Sequence, residues 1–175
     1  GAPSCFDCPA GKSRADGEAS CSPCGPGTYS EARATTCENC ERGRFARGQE
    51  NPACELAGAG YFVATSGASE QRKCPKGSFS SGSANVECTS CDAGRYANEE
   101  GLDACKPADR GYYVKDTGAI KQEKCSAGTY SSGEGATSCT LANSGFFVAD
   151  EGATGQDECP AGKFSSASRA TSCDE

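Results

Sequence analysis

The chain has 175 residues, of which 15 are cysteine and 23 glycine, and it contains no Trp, Met or His. Cysteine at this density, in a background poor in large apolar side chains, excludes a conventional hydrophobic core and reads as a disulfide scaffold from an oxidising compartment, secreted or on a cell surface. The net charge of −7 argues against nucleic acid and anionic membranes as partners, because both need basic patches, and no apolar run is long enough for membrane insertion.

Residues 1–7 read as the end of a preceding module. Cys5 stands three positions before Cys8, where that module's closing cysteine belongs. Its expected partner lies upstream, in a longer array from which this segment was cut; the alternative is an intermolecular disulfide. The lack of an initiator Met and of a leader fits the same expectation of a mature or excised segment.

From Cys8 onward the sequence repeats. Modules open at 8, 24, 40, 57, 74, 91, 108, 125, 142 and 159, the first two 16 residues long and the rest 17, in one continuous array to residue 175. Counting the opening residue as the first place, glycine holds the fourth place in all ten modules, from Gly11 to Gly162. An aromatic holds the sixth in nine, from Tyr29 to Phe164, with Ser13 the exception. Each module reads as a short hairpin: a strand around the aromatic, a turn, and a return strand to the closing position. The fourth-place glycine implies a positive φ or a close backbone approach. Units this small cannot bury a face alone, so they are expected to stack into an elongated rod, with the sixth-place aromatics packed between successive modules.

Seven modules open and close on cysteine. Cys5-x2-Cys8-x12-Cys21-x2-Cys24 has zinc-ribbon spacing, but the modules at 57, 108 and 142 argue for disulfides within modules. There the opening and closing residues are lost together, as Ala57/Gln71, Ala108/Gln122 and Ala142/Gln156. Zinc knuckles would instead leave Cys54, Cys74, Cys105, Cys125, Cys139 and Cys159 each as half a knuckle. A redox Cys-x-x-Cys fails similarly, since the tight pairs mark module junctions. The expected bonds are Cys8–Cys21, Cys24–Cys37, Cys40–Cys54, Cys74–Cys88, Cys91–Cys105, Cys125–Cys139 and Cys159–Cys173. Each is worth roughly 3 kcal/mol for a loop of about 15 residues.

The three cysteine-free modules differ at the fifth and seventh places, which share one face of a strand. Cysteine modules carry polar or small residues there. The cysteine-free ones carry Tyr61 and Val63, Tyr112 and Val114, Phe146 and Val148. Two readings stand: a local core that substitutes for the lost bond, or a contact face for another chain.

Catalytic chemistry is not indicated. Without His, the commonest general base and metal ligand is missing. Asp150, Glu151, Asp157 and Glu158 are acidic enough to hold calcium weakly, yet the equivalent stretches read "KDTGAIKQEK" and "TSGASEQRK", so acidity is not part of the repeat. Neither a cofactor nor an enzyme activity is expected. No Asn-x-Ser/Thr sequon occurs, so N-glycans are not expected; the clusters Ser78–Ser83 and Ser165–Ser168 are O-glycan acceptors or solvated turn residues.

"CSAGTYSSGEGATSC" (125–139) and "CPAGKFSSASRATSC" (159–173) resemble the ephrin-receptor-like, growth-factor-receptor-type cysteine-rich repeats. Those repeats are similar in turn to the single-disulfide module of tumour necrosis factor receptors. The resemblance covers Cys8 to Cys173 and implies small disulfide-rich β-hairpin modules in a rod, bonded as above. The chain departs from the tumour necrosis factor receptor pattern in lacking the module with two crossed disulfides. The resulting expectation is an extracellular structural repeat protein, a stalk or a fibre component that self-associates. The alternative is a ligand-binding or adhesive ectodomain of a cell-surface receptor, with a protein ligand.

Overall fold

The computed structural model describes residues 7–166 and 168–175. Among them there is no helix, and the β structure is nine two-stranded antiparallel hairpins. The first pairs Lys12–Ser13 with Ser22–Pro23 and the ninth pairs Phe146–Phe147 with Asp157–Glu158. In the tenth module a single bridge joins Phe164 to Asp174. The leading strand of each hairpin is only the fifth and sixth places, and it pairs with the last two residues of the module. Beyond them the chain turns away to make bonds with the next module. These are the tandem disulfide-rich hairpin modules that the repeat implies.

The chain divides into two compact units. One runs to Cys74 and takes in Ser80–Cys88 and Gly101–Asp103; the other holds Pro75–Phe79, Thr89–Glu100 and Ala104–Glu175. The same bonding scheme operates in each. In the second unit, Gly111 N–H donates to the Ser131 carbonyl (2.8 Å) and Val114 N–H to that of Ala136 (2.9 Å). Gly135 N–H donates back to the Ala108 carbonyl (2.7 Å), and Cys125 N–H to that of Gly111 (2.9 Å). In the first unit the counterparts are Gly43 to Val63 (2.9 Å), Ala46 to Ala68 (3.1 Å), Gly67 to Cys40 (2.7 Å) and Ala57 to Gly43 (2.9 Å). Stacking therefore satisfies main-chain groups that a two-residue strand leaves unpaired.

This ladder explains the glycines. All ten fourth-place glycines have φ between +80° and +87° or just below, Gly60 being at +79°. A Cβ on Gly111 would also run into the carbonyl of Gly152 in the eleventh place two modules on, and one on Gly60 into the carbonyl of Gly101. Both reasons for glycine therefore apply at once. The eleventh place, which is the tenth in the shorter module at 24, is itself left-handed, and four non-glycine residues accept that strain: Arg33, Glu50, Ala84 and Arg169.

The interior is not built from aromatics, contrary to the expectation of rings packed between modules. Of the sixth-place aromatics only Phe45 is buried, at 1 % exposure, with the Arg47 guanidinium over its ring at 4.9 Å. The others are half-buried, and Phe164 is exposed. The deeply buried places are instead the first and the seventh. The first is Cys or Ala, buried in all modules but the last; from the module at 24 onward the seventh is Ser30, Ala46, Val63, Ser80, Ala97, Val114, Ser131, Val148 and Ser165 in turn, while Arg14 in the module at 8 is half-buried. Backbones brought together by direct main-chain bonds leave room between them for small side chains only.

Candidate functional site

The chain's chemistry is covalent bonding at seven modules and something else at three. Seven disulfides join Cys8–Cys21, Cys24–Cys37, Cys40–Cys54, Cys74–Cys88, Cys91–Cys105, Cys125–Cys139 and Cys159–Cys173, with Cα atoms 5.6 to 5.8 Å apart. Cys8 and Cys24 are thus committed to different bonds, which rules out the zinc-ribbon set that includes both. Cys5 lies outside the described residues. No group of three His, Cys, Asp or Glu side chains that could hold a metal ion occurs among the described residues, Asp150, Glu151, Asp157 and Glu158 included.

In the cysteine-free modules, Ala57, Ala108 and Ala142 occupy the buried first place, fully covered like most of the cysteines that open other modules. The closing glutamines then reach across the hairpin. Gln71 Oε1 accepts the backbone N–H of Gly58 at 2.8 Å, Gln122 Oε1 that of Asp109 at 2.6 Å, and Gln156 Oε1 that of Asn143 at 2.8 Å. In the second case Gln122 Nε2 also donates to Asp109 Oδ2 at 2.6 Å. A side-chain clamp therefore links the closing position to the second place, next to where the disulfide would be. The signal was present in the sequence, since glutamine closes all three such modules, but the N–H it binds is a main-chain group.

The six residues offered as a contact face do not stay together. Val63, Val114 and Val148 are each 2 % exposed, so the contact-face reading is corrected for them: they fill the seventh place, which is buried even where it holds serine. Val63 packs with Phe45 and Ala57. Tyr61, Tyr112 and Phe146 are half-buried on the hairpin strands, opposite Lys73, Lys124 and Glu158. They alone present any surface.

Several hydroxyls prove structural. Ser80 Oγ donates to the Tyr61 carbonyl (3.0 Å), Ser30 Oγ to that of Lys12 (2.9 Å) and Ser78 Oγ to that of Pro75 (2.7 Å). Within the two serine clusters, Ser78, Ser80 and Ser165 are buried, while Ser81, Ser83, Ser166 and Ser168 are exposed. Two sixth-place tyrosines carry a cross-strand bond. Tyr29 Oη donates to Glu38 at 3.1 Å and Tyr113 Oη to Glu123 at 2.9 Å. That hydrogen bond, with the carboxylate's charge behind it, holds both phenols above the ordinary tyrosine value.

Residues 77–125 match the family described as tyrosine-protein kinase ephrin type A/B receptor-like. No curated protein matches the chain. The matched stretch spans the bonds Cys91–Cys105 and the opening of Cys125–Cys139, with the cysteine-free module at 108 between them. The stretch is similar to cysteine-rich modules of the extracellular receptor type, and the seven disulfides suit a place outside the cell or on its surface. No helix among the described residues is long and apolar enough to cross a membrane.

Proposed function

We propose that this chain is a non-catalytic structural segment of an extracellular protein, a stalk whose modules are locked one to the next. The observation that carries the reading is the repetition of the same inter-module main-chain bonds, with a clamp in every module, covalent or through glutamine. A ligand site is a departure from the repeat, whereas a spacer is the repeat itself. Self-association into a fibre is the finer version of this reading, and after burial of the three valines it depends on Tyr61, Tyr112 and Phe146.

Sedimentation velocity of the oxidised chain over a hundredfold concentration range tests the proposal. The expected result is a single species whose sedimentation does not change with concentration. A shift to faster species that Tyr112→Ser removes would favour the fibre version. The receptor reading is favoured by the family match at 77–125; a saturable protein ligand for the intact array, lost on substitution of a few residues at one module, would replace the stalk.

A further inference from the structure

The disulfide map divides the chain by how it carries tension. In a cysteine module a pull along the backbone passes from the opening cysteine through the S–S bond to the closing one, and the loop between them is outside the load path. Between Cys54 and Cys74 no such bypass exists, and residues 55–73 are all in the path. The same holds for residues 106–124 and 140–158. What resists there is the glutamine clamp at Gly58, Asp109 or Asn143 and the main-chain ladder. Each such bond contributes only about 1 kcal/mol net.

We propose that the three cysteine-free modules are the extensible elements of this chain, opening reversibly under tension while the seven bonded modules hold their loops. Each opening frees 19 residues, a contour of at most about 65 Å. The bonded modules yield only the two residues between successive cysteines. Paired replacement of Cys by Ala and Gln then has a function: it removes the covalent limit while keeping the module folded at rest. The inference stands on the bonding pattern and does not require the chain to be a stalk.

Optical-trap stretching of the oxidised 175-residue chain between terminal handles tests it. Three steps are expected, each no longer than about 65 Å of contour, and they re-form on relaxation. The variant Ala108→Cys with Gln122→Cys, its eighth bond verified by intact mass, should lose one of the three. A reductant should add steps in the unmodified chain, since the bonded loops then enter the load path. Fewer or more than three steps in the oxidised chain would overturn the proposal, as would three persisting in the cross-linked variant. If the eighth bond does not form, the reductant arm decides: an unchanged step count on full reduction rejects the assignment.

Discussion

Gln122 and Asp109 are joined twice across their hairpin, main-chain N–H to Oε1 and Nε2 to Oδ2, both at 2.6 Å. A neutral amide side chain thereby ties the two ends of a module that in its neighbours are tied by sulfur. The amide suits this because it carries acceptor and donor together, so it satisfies a main-chain donor and a carboxylate at once.

Gln71→Ala removes the single clamp between Gln71 and Gly58. The expected cost is about 1 kcal/mol, the net worth of one hydrogen bond. Gln122→Ala should cost more, because it releases two bonds. Thermal unfolding of the two variants beside the unmodified chain reads the difference; equal shifts would mean that the second bond contributes nothing.

Two glycine substitutions separate backbone strain from collision. Gly111 and Gly145 have φ of +81° and +82°, so alanine is strained at both, by roughly 1–2 kcal/mol. Only at Gly111 does the added Cβ meet a carbonyl, that of Gly152, while at Gly145 it meets nothing within 4 Å. Gly111→Ala should therefore be the more destabilising by a further 1–3 kcal/mol, on the order of an overpacked core. Hydrogen exchange at the Gly152 amide, which donates to the Cys125 carbonyl, should accelerate in that variant alone.

Val114→Ala empties a buried place and should cost about 2 kcal/mol. Tyr112→Ser, on a half-buried strand position opposite Lys124, should cost about 1 kcal/mol, in the range of a lost cross-strand pair. Denaturant titration orders the two. The reverse order would assign the local core to the tyrosine.

Tyr29 and Tyr113 should ionise above the ordinary tyrosine value. Their bonds to Glu38 and Glu123 need the phenol proton, so the folded state favours the neutral form and its value lies above 10.0, the ordinary one. The stabilisation is therefore fully present below pH 10 and is lost as the pH rises through the higher folded value. A spectrophotometric titration of phenolate should show a late fraction that belongs to Tyr29 and Tyr113. Glu38→Gln with Glu123→Gln should shift that fraction to lower pH.

Much of the fold was legible because the repeat makes the residues testify against one another. Register from Cys40 to Cys159 followed from a constant step of 17, and the joint loss of Ala57 with Gln71 pointed to bonds within modules. The interior was not legible. Ser80 and Ser131 look like surface residues by type, yet they are buried because direct main-chain bonding between modules leaves space for nothing larger. Val63 looks like an added apolar face only because its counterparts in the cysteine modules from 24 onward are serine or alanine; all of these occupy one small buried place. The aromatics misled in the opposite direction, since ring size suggests a core whereas the packing leaves most of them half in solvent. The clamps were half visible, as glutamine at a fixed place, but a side chain's main-chain partner is not written in the sequence.

Within either compact unit, the inter-module bonds have a consequence for how such a protein changes over generations. A module accepts from the one before it the same groups that it offers to the one after: the Val114 carbonyl accepts the Gly94 N–H behind it, and Gly111 N–H donates to the Ser131 carbonyl ahead. Removing or duplicating 17 residues leaves every donor facing an acceptor. The 16-residue modules at 8 and 24 keep the same bonds, so a single residue can also be lost within a loop. Slippage between tandem coding repeats in whole-module steps thus preserves the main-chain ladder, and reach becomes a property that recombination can adjust without disturbing it.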